Sequence, residues 1–485
     1  MKVLEIFHQH AVERPDQPAI ICRGVTTSFG DLARMIREIA AGLLHSGCGE
    51  GQRLGMLLPP SAELVAVAFA ALSVGAVPVF VDPGLGLRRL RQLLATSGAA
   101  MVVGTPLTLT AAIGILPAAR RLCTHAWTGK QTLAQLRRHG EIVPSTTISG
   151  NAPGIMLHTS GATGVPKAIT IARDTLDAQA AALCALAELG PGCTLLTILP
   201  AMLLIGPAAG CTCRVPGPRR QLAEDLAAST HSFGSPAVWG PLAELLAHQK
   251  RHLPELRCLL FGGCAVPRAL LERWRHVAPN ARLASVYGAT EGIPVCVAWA
   301  DELPDPHTHD EGTCLGYVTG NCELELKPLA GLADGGEIRV RGPVMAACGW
   351  QSLGDLGRRD HEGRWWYLGR AAEAVSWAGA LWPTEPVETA FQNGLLTTAV
   401  ALVNPDGRPL LVVEPRCWPL SRSGRSTLIA EVLAQDPALV SRLALNPKRV
   451  LLRRVLPRDV RHRAKILRGE LATWAAARLL PETIR

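Results

Sequence analysis

The run LVAVAFAALSVGAVPVFV, residues 64–81, carries no charge over a length that could cross a bilayer. Gly75 and Pro78 break it, and its β-branched end VPVFV suits a buried strand better than a membrane helix. A buried helix feeding a buried strand is the repeating unit of a layered α/β fold. A second uncharged run, TLLTILPAMLLIGPAAGCTC (194–213), contains Pro200, Gly206 and Pro207 and reads as a strand, loop and helix lining an apolar cavity. DLARMIREIAAGLLHSG repeats apolar residues at helical spacing before a glycine stop, whereas QRLGMLLP, AAMVVGTP and LRCLLFGG read as buried strands. This alternation predicts α/β layers with mostly parallel sheets. From about residue 335 the texture changes: GGEIRVRGPV alternates like a strand, and GRWWYLGR follows a turn signal at DHEG. We therefore expect a large N-terminal domain of layered sheets and helices over 1–369. A smaller, mobile α+β domain would follow over 370–485, with the boundary at Gly369–Arg370.

Composition narrows the function classes. With 48% apolar and 18% charged residues in 485, the chain is a folded protein with ample core. A net charge of +9 spread over that length is a weak field, which nucleotides would satisfy as well as a polymer. The 14 cysteines include no Cys-x-x-Cys pair, which argues against a zinc ribbon and for a reducing cytoplasm. His307 and His309 in DPHTHD have no accompanying ligand motif and read as a solvated loop. MKVLEIFHQHAVERPDQPAI lacks an apolar signal core. The expectation is a cytoplasmic enzyme with no transmembrane segment, for which peripheral membrane contact stays open.

HTSGATGVPKAIT, from His158 to Thr170, is the strongest local signal. Gly161 and Gly164 let the backbone turn its N–H groups toward an anion. Thr159, Ser160 and Thr163 can donate hydroxyl hydrogen bonds to phosphate oxygens, and Lys167 adds a point charge. The same residues would also suit an ordinary Ser/Gly-rich hairpin, and the Walker Gly-Lys-Ser/Thr is absent. Local features alone leave both open.

The segment resembles the phosphate loop of the adenylate-forming superfamily of acyl-CoA synthetases, peptide-synthetase adenylation domains and luciferases, with Ala162 replacing one Thr. Further segments resemble that family's motifs in the right order. FGGCAVP, containing Gly263, Cys264 and Ala265, resembles the segment that packs on adenine. YGATEG resembles the next motif. There the resemblance implies that Tyr287 stacks on adenine, Thr290 contacts the α-phosphate and Glu291 holds Mg²⁺, with Gly288 and Ala289 between and Thr159 as a second metal ligand. GEIRVRGPVM and GDLGRRDHEGRWWYLGR follow, implying that Asp355 binds the ribose hydroxyls and that Arg370 precedes an interdomain hinge.

The tail LPRDVRHRAKILRGEL could be a basic patch, but against these motifs Lys465 resembles the family's catalytic lysine. GAVPVFVDPGLG, FGSPAVWGPL, GTCLGYVTG and DVRHRAKILRGELATWA look most like the olefin β-lactone synthetase branch, and fatty acyl-CoA ligases share some of them. The resemblance implies activation of a carboxylic acid by MgATP to acyl-AMP and pyrophosphate. A β-lactone would then close, or, in the alternative, coenzyme A would take the acyl group; a degenerate nucleotide-binding member is a third reading. Two departures weigh on the coenzyme A step more than on adenylation. CGWQ runs almost directly into SLGDLG, and Ala372 followed by Glu373 stands where the family has Asp or Lys at the hinge. No motif or aromatic interleaving supports nucleic acid as a partner.

Overall fold

The computed structural model describes residues 2–117, 120–124, 132–141, 148–159, 167–304, 312–392, 396–458 and 465–479, with Pro83, Thr159 and Lys167 as backbone alone. His307 and His309 lie outside the described residues.

The uncharged 64–81 run folds as a helix, Ala62–Ser73, and a strand, Val77–Phe80. Ser61 caps the helix by accepting from the Leu64 N–H, and every residue from Leu64 to Ser73 is buried. A helix that is apolar all round needs cover on every side, and here the main core cluster supplies it. The strand joins a six-stranded sheet in the order Arg121–Cys123, Met101–Gly104, Arg53–Leu57, Val77–Phe80, Pro153–Thr159, Lys167–Ala172. Neighbours are parallel up to Pro153–Thr159, and the last pair is antiparallel.

A thirteen-stranded sheet has a parallel centre made of Thr212–Val215, Thr194–Leu196, His231–Gly234, Cys258–Gly262 and Arg282–Ala289. Beyond Ala289 the expectation of mostly parallel sheets gives way. Gly292–Trp299, Thr313–Val318, Trp365–Arg370, Gln351–Arg359, Gly336–Arg341 and Glu323–Lys327 all pair antiparallel. The reason is connection length. The turn after Ala289 is too short for the crossover that a parallel neighbour needs.

The 194–213 run forms strand Thr194–Leu196, helix Pro200–Ala208 and strand Thr212–Val215. Its helix corrects the cavity reading: Met202, Leu203, Leu204 and Ile205 are buried in the main core cluster and fill it. From Val375 onward, among the described residues, no strand joins the large sheets. A hairpin, Val375–Trp377 with Ala380–Trp382, precedes a three-stranded sheet of Thr397–Val403, Leu410–Pro415 and Val450–Leu452. Helices Thr384–Ala390, Arg422–Ala434 and Arg468–Leu479 cover it.

Candidate active site

The segments after Thr159, Gly262 and Ala289 follow the carboxyl ends of strands in the two large sheets, the edge at which open α/β sheets receive ligands. The register pairs Thr159 with Lys167 across an antiparallel pair, so the two ends of the glycine-rich segment stand opposite each other. No helix follows it; strand Lys167–Ala172 does. Ser160, Gly161, Thr163 and Gly164 lie outside the described residues.

On the other sheet Gly262 pairs with Val286, which sets Gly263, at φ +88°, beside Tyr287. Cys264 and Ala265 continue the bend before helix Arg268–Val277. Gly288 admits no side chain: a Cβ there would stand 2.8 Å from the Gly292 carbonyl oxygen. Ala289 pairs with Gly292, and Thr290 and Glu291 form the turn between them. The Ala346 N–H donates to the Glu291 carbonyl at 2.7 Å, which pins that turn. Gln179, buried on helix Arg173–Ala187, donates to the Val344 carbonyl at 2.8 Å. The helix that follows the glycine-rich hairpin thus holds the segment that holds Glu291. Sequence gave no signal for Gln179, because a lone glutamine on an amphipathic helix has no pattern of its own.

The Glu291 carboxylate is half-buried, and among the described residues no cation pairs with it. Also among the described residues, no group of three or more His, Cys, Asp or Glu could cage a metal. A half-buried carboxylate is a ligand type that suits Mg²⁺, which takes one or two carboxylates and draws its remaining ligands from phosphate and water.

Distant motifs converge at Asp355. It pairs in register with Arg370 on neighbouring strands Gln351–Arg359 and Trp365–Arg370. The Tyr287 hydroxyl donates to Asp355 Oδ2 at 2.8 Å, and the Arg370 guanidinium lies 3.1 Å from Oδ1. That guanidinium directs its N–H to the Leu353 carbonyl at 2.5 Å, so Oδ1 is buried close to a cation yet accepts no hydrogen bond. Burial pushes the Asp355 carboxyl up, while Arg370, Tyr287 and Lys465 pull it down. Burial and the Asp355 charge together push the Tyr287 hydroxyl well up. Lys465 is therefore within electrostatic reach of Asp355, although its backbone belongs to the exposed segment before helix Arg468–Leu479.

A clasp lies behind that lysine. Arg468 donates to both oxygens of Glu388, at 2.8 and 2.7 Å, and to Glu373 at 2.6 Å. Thr313 donates to Glu385 at 2.6 Å, and the Leu381 N–H donates to the Gly331 carbonyl at 2.8 Å. Burial pushes the Glu388 carboxyl up to about 7 against the pull of Arg468. The sequence placed Arg468 only among the loop's basic residues. Glu388 lies 80 positions away, and nothing local to either residue announces the pair.

Residues 7–350 match the family model of AMP-binding enzymes. The chain belongs to the AMP-binding enzyme family. This AMP-binding enzyme is 32% identical to the olefin β-lactone synthetase of Xanthomonas campestris pv. campestris, over 96% of each chain. It is 31% identical to the olefin β-lactone synthetase of Stenotrophomonas maltophilia, over 97% of each chain. Its fold is that of an anthranilate CoA ligase solved with anthranoyl-AMP, with a TM-score of 0.83 at 17% identity and 98% of each chain covered. It is an adenylate-forming synthetase, and its substrates are ATP and a carboxylic acid. Among the described residues no helix is long and apolar enough to cross a membrane.

Proposed function

We propose that this AMP-binding enzyme activates a β-hydroxy carboxylic acid as its acyl-adenylate and then closes a β-lactone on the same molecule. The observation that carries the reading is the similarity of the chain, over nearly its whole length, to olefin β-lactone synthetases, and the charge of Lys465 helps to pull down the Asp355 carboxyl. In the first step a substrate carboxylate oxygen attacks the α-phosphorus of ATP, and the bond to the bridging oxygen of pyrophosphate breaks. Two anions must meet, so the site has to supply positive charge in place. Lys465 supplies it at the acyl-phosphate and Lys167 at the leaving phosphates, with Thr159, Ser160 and Thr163 donating hydroxyl hydrogen bonds. Thr290 contacts the α-phosphate. The ribose hydroxyls go to Asp355, whose Oδ1 has an acceptor position to give. Glu291 and Thr159 would hold Mg²⁺, which when bound neutralises phosphate charge.

In the second step the β-hydroxyl oxygen attacks the acyl carbon, the acyl–oxygen bond to phosphate breaks, and AMP leaves with the electron pair. The hydroxyl proton passes to solvent. A tethered nucleophile reacts at an effective molarity of roughly 10⁵–10⁸ M when well oriented, which offsets ring strain. It also needs no second acceptor site. That suits a hinge where Arg468 ties Glu373 to Glu388 and where Ala372 replaces the family's charged residue. We place the domain boundary at Gly369–Arg370, with the hinge following Arg370, and read 370–485 as the lid that delivers Lys465. A chain whose described cysteines form no disulfide suits a reducing, cytoplasmic compartment.

Mass spectrometry of products from ATP and β-hydroxy acids, with and without coenzyme A, tests the reading. A lactone formed without the thiol is expected. A thioester that appears only with coenzyme A would overturn the lactone step and leave adenylation standing.

A further inference from the structure

Cys193 and Cys211 open two neighbouring parallel strands, Thr194–Leu196 and Thr212–Val215. The register pairs Thr194 with Thr212, and the Thr212 N–H donates to the Cys193 carbonyl at 3.0 Å, so the two cysteines face each other across the ladder. Neighbouring strands lie ~4.8 Å apart, inside the ~4.4–6.8 Å Cα span that a disulfide bridges. Both thiols turn toward one bend: Cys211 Sγ donates to the Gly190 carbonyl at 3.3 Å and Cys193 Sγ to the Glu188 carbonyl at 3.8 Å.

Cys211 is sealed in the core, but Cys193 lines a cavity of about 110 Å³ together with His231, Arg257, Cys258 and Arg282. This cavity belongs to the opposite, amino-terminal end of those strands from the candidate active site. His231 is already engaged there. Its Nδ1 meets the Thr230 hydroxyl at 2.7 Å, and burial, with Arg257 assisting, holds its pKa down. Arg282 is engaged by Glu188 at 2.5 Å. Cys193 is a different case. The neighbouring Cys211, against the effect of burial and with help from the Gly190 carbonyl bend and the Arg257 charge, draws the Cys193 thiol down, whereas Cys193 and burial push Cys211 up. A thiolate-prone sulfur open to a small cavity, with a thiol behind it, is the arrangement of an attacking and a resolving cysteine.

We propose that Cys193 and Cys211 form an oxidation site for a small hydroperoxide, converted by it into an intrachain disulfide. The Cys193 thiolate attacks the distal peroxide oxygen, the O–O bond breaks, and the departing oxygen leaves as water for hydrogen peroxide. Sulfur is oxidised to a sulfenic acid and the peroxide is reduced. The Cys211 thiol gives up its proton, its sulfur attacks the sulfenic sulfur, and the S–O bond breaks to release a second water. The bridge staples the 190–193 bend to the start of the neighbouring strand.

The test treats reduced full-length protein with hydrogen peroxide, alkylates it, digests it with pepsin at acid pH and maps the cysteines by mass spectrometry. Expected is the joint loss of alkylated Cys193 and Cys211, a linked pair lighter by two hydrogens, and recovery of both with dithiothreitol. In Cys211→Ser, dimedone should trap the sulfenic acid at Cys193. The proposal is overturned if both cysteines stay alkylated at a dose that oxidises the exposed Cys348 and Cys417. It is equally overturned if Cys193 joins Cys184 or Cys258 instead. Should Cys211→Ser fail to fold, the parent map still decides.

Discussion

Asp355 is buried between Tyr287 and Arg370, and its carboxylate has one oxygen that accepts no hydrogen bond. Asp355→Asn keeps the shape and removes the charge. A hydrogen bond to a charged group contributes roughly 1.5–3 kcal/mol, so KM for ATP should rise about tenfold or more with kcat much less affected. Pyrophosphate release at varied ATP measures it, and a loss confined to kcat would remove Asp355 from the ribose. Lys465→Ala should lower acyl-AMP formation by about 10²-fold or more, as expected when a preorganised charge leaves a reacting phosphate. Because Lys465 is exposed, its thermal unfolding should match the parent. Near-normal acyl-AMP in that variant would refute the assignment. At this scale the sequence was informative wherever a residue type and its neighbours make a motif: Tyr287, Asp355 and Arg370 were all singled out, and their side chains meet at one carboxylate. Gln179, Arg468 and Glu388 were not, because each acts through a partner far along the chain.

Among elements, the turn at Thr290–Glu291 and helix Thr384–Ala390 are held differently. The turn depends on Gly288, whose missing side chain lets the strand meet the Gly292 carbonyl. Gly288→Ala should cost about 1–3 kcal/mol, the range for overpacking a tight site, read as a lowered unfolding midpoint. The helix carries Glu388, with its carboxyl raised from the usual range to about 7 by burial. An acid whose folded pKa is raised binds more protons folded than unfolded between the two values. Its stabilising contribution is complete below about 4.5 and is lost as pH rises toward about 7. Glu388→Gln should therefore flatten the fall of melting temperature across that window. An unchanged slope would show that Glu388 is not the titrating group. Element types were largely readable, since the buried helix and strands announce themselves by uncharged runs and β-branched residues. What periodicity could not supply was the burial of helix Pro200–Ala208 as core and not cavity wall. An apolar run looks the same whether protein or a ligand covers it.

For the whole molecule, Arg468 is the joint between the Lys465 segment, the post-Arg370 turn and helix Thr384–Ala390. Its side chain is 16% exposed and that of Glu388 is 6%, so removing one partner strands a buried charge. Arg468→Ala should lose about 3–5 kcal/mol of stability and lower kcat for adenylation, whereas Arg468→Lys should recover part of each. Equal thermal unfolding of Arg468→Ala and parent would dismiss the clasp. The sequence by itself determined the layered α/β architecture, the order of the motifs and the chemistry their residues can do. Those depend on side-chain type and on spacing within a few turns of chain. The tertiary structure decided which charges meet: that Tyr287 and Arg370 share Asp355, and that Arg468 holds two glutamates. Burial and distance set the strength of these pairings, and both come from the packing of segments far apart in the chain.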